Sequence, residues 1–313
     1  MIRTYFPVRR AIARALVSTT IAVAELATGA SAQSPRDRLL VTPQWLAAHL
    51  NDPDLVLLHV GDPAEYARTH IPGARLIRLQ DVSTPHREGA LMLEMPPAAE
   101  LHDRLEALGI SDDSRIVVYY GNDWVSPSTR VVFTLAYAGL GDRVSLLDGG
   151  MPAWTEARRP VTAAVPPARR GRLSPLRTQE LIVDAQWVRQ HARDPHVALV
   201  DGRAAAFYDG VQATDKRYGH IPGARSIPFT EITDARLRVK SPAQLAALFR
   251  NAGVRPGDTV VGYCHIGQQA TAMLFAARTL GYDVRLYDGS FQDWDARTDL
   301  PVENPSAPSG GSR

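Results

Sequence analysis

The sequence predicts an α/β protein of two tandem repeats, each a parallel sheet flanked by helices. Short apolar strands alternate with helical patterns along the chain, the arrangement that covers both faces of a parallel sheet. The hexapeptide His70-Ile-Pro-Gly-Ala-Arg75 returns as His220-Ile-Pro-Gly-Ala-Arg225, and the elements around each copy follow in the same order.

The N-terminal stretch stands apart. Arg3, Arg9, Arg10 and Arg14 precede the apolar run from Ala15 to Ala24, and Ala30-Ser-Ala32 offers a small-x-small cleavage site before Gln33. This reads as a secretory signal peptide over residues 1–32, cleaved after Ala32, with export to a bacterial periplasm or beyond. The run is too short for a membrane span, and Glu25 cuts it shorter. A disordered extension and an arginine-rich transit peptide are the alternative readings.

The first repeat is expected over 39–161. Thr42-Pro-Gln-Trp45 has the make-up of a helix start, with Thr42 as N-cap and Pro43 after it. Leu55 to Val60 is an apolar strand, followed by a helix over 98–108, a strand over 115–120, a further helix and a strand over 144–148. A linker over 162–178, rich in Pro and Arg, joins it to the second repeat at 179–304. There Asp184-Ala-Gln-Trp187 matches the first N-cap, and the strands 197–201, 259–263 and 284–288 alternate with helices in the same way. Gly-Gly-Met-Pro-Ala-Trp154 answers Gly-Ser-Phe-Gln-Asp-Trp294. The tail, 305–313, is mostly Pro, Ser and Gly and is expected to be disordered.

The 313 residues are 45% hydrophobic and 22% charged with a net charge of +2, an ordinary globular make-up sufficient for two domains. The arginines are scattered, which excludes a nucleic-acid surface. Nine histidines and one cysteine show no paired ligand spacing, so no metal or other cofactor is expected, and a lone cysteine forms no internal disulfide.

That cysteine, Cys264, lies in Thr259-Val-Val-Gly-Tyr-Cys-His-Ile-Gly-Gln-Gln-Ala270. Thr259 to Tyr263 reads as a buried strand launched from the turn Arg255-Pro-Gly-Asp258. Ala270, Met273, Leu274, Ala277 and Leu280 recur at helical spacing, and Gly281 ends the run. Cys264 therefore sits one tight loop before a helix N-terminus. Successive backbone N–H groups can converge on one spot there, and the helix end adds partial positive charge. A thiol so placed is expected to react as its thiolate, with Gly267 letting the loop curl. The competing reading is a small apolar cysteine packed at a strand end.

The Cys-x-x-Gly loop after a Val-Val-x-Tyr strand, the repeated His-Ile-Pro-Gly-Ala and the Asp-Gly-x4-Trp stretches together resemble the tandem-domain rhodanese sulfurtransferases over nearly the whole mature chain. The resemblance implies two rhodanese-like domains, the second catalytic. Cys264 would be the nucleophile and persulfide carrier, and His265, Ile266, Gly267, Gln268, Gln269 and Ala270 the cradle for donor and persulfide. It implies transfer of sulfane sulfur from thiosulfate or a related small donor to cyanide or a thiol, by a protein expected to be monomeric and without a membrane span once the leader is removed. The first repeat reads Tyr120-Gly-Asn-Asp-Trp-Val-Ser-Pro-Ser128 where the second has Tyr263-Cys264, a loop longer by about three residues and without a thiol. It is expected to be inactive and to wall the cleft, with Asp123, Trp124 and Ser126 as lining candidates.

Family members carry cations just after the cysteine and an Arg six residues after the first-strand Asp of the second repeat. Here those places hold His265, Ile266 and Phe207. Arg203, Lys216 and Arg217 are the candidates to supply the anion-binding charge. Asp201 and Arg203 are also placed to form an ion pair for which Asp62 and Ala64 show no counterpart in the first repeat. Phosphate- or arsenate-directed relatives use a loop one residue longer ending in Arg, whereas Gln269 stands in that place here. A catalytically silent sulfur-binding or scaffold module is the other alternative. His70 and His220 recur in both repeats, including the one without a thiol, and so read as structural, as do Trp154 and Trp294.

Overall fold

The computed structural model describes residues 1–5, 34–122, 124–213 and 216–307. The leader and its cleavage point fall mostly on residues 6–33, which lie outside the described residues, as do Asp123 and 308–313.

The first repeat holds the strands β1 (Leu40–Val41), β2 (Leu55–Val60), β3 (Arg75–Ile77), β4 (Arg115–Tyr120) and β5 (Val144–Leu147). Its helices are α1 (Pro35–Leu39), α2 (Pro43–His49), α3 (Pro63–Arg68), α4 (Ala98–Ala107), α5 (Val125–Leu135) and α6 (Gly150–Glu156). The second holds β6 (Ile182–Val183), β7 (Val197–Asp201), β8 (Arg225–Ser226), β9 (Thr259–Tyr263) and β10 (Val284–Tyr287). With them run α7 (Ala185–His191), α8 (Ala205–Tyr208), α9 (Pro242–Asn251), α10 (Ala270–Thr279) and α11 (Ser290–Ala296). Both sheets are parallel and five-stranded, in the orders β1-β5-β4-β2-β3 and β6-β10-β9-β7-β8. Strands covered on both faces read as near-continuous apolar runs, as β2 does apart from His59 and β4 does after Arg115. The expected N-caps form: Thr42 Oγ1 accepts from Trp45 N at 3.1 Å and Asp184 Oδ1 from Trp187 N at 2.8 Å.

Matching hydrogen bonds fix the correspondence between the repeats. Tyr119 Oη and Tyr263 Oη each accept from the isoleucine N–H of the repeated hexapeptide, Ile71 and Ile221, at 3.1 Å. His70 stacks on Tyr66 and His220 on Tyr208, and each ring Nδ1 pairs with that tyrosine's carbonyl. Trp154 and Trp294 are buried, their indole N–H groups donating to Pro160 and Pro301 carbonyls. These residues hold the architecture of both repeats.

The same bonds correct the expected alignment by one residue. Tyr119, not Tyr120, is the partner of Tyr263, so Tyr120 occupies the place of Cys264. Strand register pairs His59 with Tyr119 and Asp201 with Tyr263, so the counterpart of Asp201 is His59. Asp62 instead caps α3, accepting from Ala64 N and Glu65 N. The longer first-repeat loop is also corrected: residues 121–124 separate strand from helix there, against 264–269 in the second repeat. Helix α5 starts early and runs into a widened turn, Ala136–Leu140, with Gly139 at φ 87°.

One apolar core runs through both repeats, from Leu58, Val118 and Val131 to Cys264, Met273 and Leu274, with α5 packed on α10. Burying each large apolar side chain there contributes about 1.5–3 kcal/mol. The linker runs over the first repeat, pinned by Gly171 N to Glu106 O and Ser174 N to Asp112 Oδ1. The tail expected to be disordered is anchored at its start: Ser306 Oγ donates to Asp209 O at 2.6 Å.

Candidate functional site

Cys264 follows the last residue of β9 and is fully buried. Around it the carbonyls of the loop are tied outward. Phe291 N and Gln292 N, in the first turn of α11, donate to Cys264 O at 2.9 Å and His265 O at 3.0 Å. Arg130 Nη1, from α5 of the first repeat, donates to Gly267 O at 3.0 Å. Thr271 N and Ala272 N take Gln268 O and Gln269 O, each at 3.1 Å. A planar trans peptide sets each C=O opposite the next N–H. Outward carbonyls at 264, 265, 267, 268 and 269 therefore turn the N–H groups of the following residues to the inside of the loop. Among the described residues, no protein acceptor pairs with the N–H of Ile266, Gly267, Gln268 or Gln269. The loop is lined with donors at the N-terminus of α10, where the helix dipole adds to them.

Two positive φ values permit this path. Gly267 lies at φ +77°, and a Cβ there would come within 2.8 Å of Asp288 O. Ser290, fully buried, holds φ 51°; its Oγ accepts from Cys264 N at 3.2 Å and donates to Tyr287 O at 2.9 Å. In the first repeat Gly150 has the same conformation at φ +52°, packed against Tyr120.

The other predicted residues separate clearly. Gln268 Nε2 donates to Ser126 Oγ at 3.3 Å, so Ser126 does border the loop. Gln269 Oε1 is buried without a partner among the described residues, and Ala270 is buried against Gly202, where a Cβ would meet Ala270 Cα at 3.1 Å. Ile266 is half-buried. His265 sets its ring edge-on to Phe207 at 4.6 Å, the residue standing where the family carries an Arg. Burial, then Arg203, push the imidazole down to about 4 against the pull of Asp201, leaving it neutral at physiological pH.

Arg203 is 1% exposed and grips Asp201 through Nε and Nη2 (2.6 Å to Oδ2), with Nη2 also donating to Gly219 O. Its guanidinium lies 4.1 Å over Phe291. Burial works against the charge, but Asp201, with smaller contributions from Tyr263 and Cys264, holds it above the usual arginine range. Arg203 is thus a structural cation close enough to feel a charge on Cys264. Arg217 is engaged elsewhere, Nε donating to Asp295 Oδ1 at 2.9 Å. The Lys216 N–H donates to Asp295 Oδ2, and the residue is exposed. Trp124 is 58% exposed and tilted against Phe229 at 5.3 Å.

Sequence reasoning missed the cross-repeat contacts. Asp288 accepts from Arg130 Nη1 at 2.8 Å and from Met95 N at 2.7 Å, and Met92 N donates to Gln292 Oε1. The mirror contacts cover the first repeat's own end: Tyr120 Oη donates to Leu237 O and Val239 N to Asp148 Oδ1. Asp148 and Asp288 were visible as a repeated Asp-Gly. Arg130 was visible only as the sole charge between Val125 and Leu140.

Comparison with known proteins agrees with this architecture. The rhodanese-like domain model matches residues 42–157 and 184–297. A Pseudomonas aeruginosa protein named "Probable 3-mercaptopyruvate sulfurtransferase" is 36% identical over 84% of this chain and 97% of its own. A thiosulfate sulfurtransferase of Azotobacter vinelandii is 27% identical over 85% of this chain and 97% of its own. The crystal structure of YnjE superposes with a TM-score of 0.77 at 26% identity, over 86% of this chain and 69% of that one. With two matched domains, two parallel sheets and the Cys264 loop between β9 and α10, the chain belongs to the rhodanese-like family, in its tandem-domain form.

Proposed function

We propose that the protein is a sulfurtransferase that carries sulfane sulfur on Cys264 as a persulfide. The observation that carries this reading is the buried thiol inside a loop whose carbonyls are tied outward and whose N–H groups are left over. With thiosulfate, the Cys264 thiolate attacks the outer sulfur, the S–S bond of the donor breaks, and sulfite leaves with the electron pair. Cyanide or a thiol then attacks the outer persulfide sulfur; with cyanide, thiocyanate departs and the thiolate returns. Charge and electrons balance in both halves without an outside oxidant or reductant. The inward N–H groups of Ile266, Gln268, Gln269 and Ala270 stabilise negative charge on the terminal sulfur. Gln269 has no guanidinium to offer a phosphate oxyanion, which favours a sulfur donor.

The relatives named as 3-mercaptopyruvate and thiosulfate sulfurtransferases support the class and leave two donors to compare. In the second half-reaction any accessible small thiol serves as acceptor. The first repeat, with Tyr120 in the place of the thiol, acts as scaffold. Residues 1–32 serve as an export leader; supporting this are the arginines before the apolar run and Ala30-Ser-Ala32. Secreted material whose first residue is Met1 would contradict export with cleavage.

The test is a matrix of initial rates with thiosulfate or 3-mercaptopyruvate against cyanide. Parallel double-reciprocal lines with one donor, and no transfer by Cys264→Ser with its melting temperature close to wild type, are expected. Intersecting lines, or half the activity retained in Cys264→Ser, would contradict the covalent carrier.

A further inference from the structure

Resting on that sulfurtransferase reading, we propose that Arg130 of the first repeat is a positioning residue that locks the Gly267–Gln268 peptide of the second repeat's loop. Arg130 is fully buried, in the middle of α5, the last place apolar packing would put a cation. Its guanidinium bridges three groups. Nη1 donates to Gly267 O at 3.0 Å and Asp288 Oδ1 at 2.8 Å, and Nη2 donates to Leu93 O at 2.5 Å. Asp288 is in turn held by Met95 N, so the first repeat grips the loop's support at two points.

The lock has a specific job because of where it acts. Gly267, at φ +77° and without a Cβ, is the residue in the loop for which the peptide plane that follows turns most cheaply. Flipping it would exchange the Gln268 N–H for the Gly267 carbonyl on the inside of the loop, placing an acceptor dipole where a developing anion must sit. A buried cation on the outside, itself neutralised by Asp288, makes the outward carbonyl the only favourable arrangement. Among the described residues no group of the second repeat donates to Gly267 O; next to Arg130 in α5, Thr129 meets Thr271 side chain to side chain at 3.0 Å across the α5–α10 contact. A repeat without a thiol thus supplies a determinant of the other's cradle.

The experiment measures single-turnover sulfur uptake by Cys264 and thermal stability for the wild type, Arg130→Lys and Thr129→Val. Lysine keeps the charge opposite Asp288 but cannot span Gly267 O and Leu93 O together. Arg130→Lys is expected to slow uptake at saturating donor by roughly ten- to a hundred-fold, less than the roughly hundred- to thousand-fold cost of deleting a preorganised anion donor outright, with the folded fraction unchanged. Thr129→Val removes the hydroxyl pair of the same helix contact and leaves Thr271 Oγ1 its own bond to Gln268 O at 2.6 Å, so it is expected to lower the melting temperature and leave uptake unchanged. Arg130→Lys uptake equal to wild type would overturn the proposal. So would an equal loss in Thr129→Val, which would assign the effect to docking of the repeats. Should Arg130→Lys not fold, Arg130→Gln, neutral and still a donor, is read in its place against the same two outcomes. Wild-type protein that takes sulfur from no donor would instead refute the sulfurtransferase reading itself.

Discussion

Replacing Asp201 with Ala should be among the most destabilising single changes in the second repeat. Asp201 and Arg203 are 0% and 1% exposed, joined by contacts of 2.6 to 3.0 Å. Removing the carboxylate leaves a guanidinium in the core with Gly219 O and the Phe291 ring for company. An uncompensated buried partner of this kind costs about 3–5 kcal/mol, which for a chain of this size lowers the melting temperature on the order of 10 °C. Asp201→Ala/Arg203→Met removes the stranded charge and keeps an apolar stem under Phe291, so it should recover at least half of the loss. The first repeat, which folds with His59 and Gly61 at these two places, shows that the architecture does not need the pair. Urea titrations of the wild type, both single variants and the double close the cycle. A cost below about 1 kcal/mol for Asp201→Ala, or strict additivity in the double, would refute the reasoning.

Gly267→Ala should cost about 1 kcal/mol for the left-handed backbone alone and more for the Cβ, 2.8 Å from Asp288 O and 3.1 Å from Arg130 Nη1. Lost uptake with a lower urea midpoint is expected, and a variant with wild-type uptake would contradict the loop geometry. Stability should also fall on the acid side. His59 is 1% exposed, and burial, then His70, push its imidazole down to about 4. The unfolded chain therefore binds this proton first, so the stabilisation is complete above about pH 6.5 and is lost as pH falls toward 4, by up to roughly 3 kcal/mol. His265 acts in the same direction. His59→Leu should flatten the decline in urea midpoint between pH 7 and 4.5, and an unchanged slope would contradict the buried neutral ring.

The duplication, the two parallel sheets and the Cys264 loop were legible because each is local: alternating apolar runs, a repeated hexapeptide, a cysteine between strand and helix pattern. The one-residue slip in the first repeat came from Tyr119 and Tyr120 standing side by side. Either could match Tyr263 by pattern, and only the hydroxyl reaching Ile71 N distinguishes them. The same slip hid His59 as the counterpart of Asp201 and made the first-repeat loop look long. Arg130 and Met95 meet the loop and its support through contacts more than a hundred residues apart in sequence, Leu93 meets Arg130 across 37, and two of the three contribute backbone atoms. A main-chain N–H or C=O carries no residue-type signal, so that wall of the site could not be read from residue types.

The most direct measurement is the intact mass of the purified protein before and after incubation with a sulfur donor, with peptide mapping and a cyanide chase. Thiosulfate, 3-mercaptopyruvate and polysulfide are supplied separately. The expected result is a gain of one sulfur atom on the Cys264 peptide with at least one donor, removed by cyanide with release of thiocyanate. No gain from any of the three, on folded protein with its thiol intact, would contradict the assignment of Cys264 as a sulfur carrier.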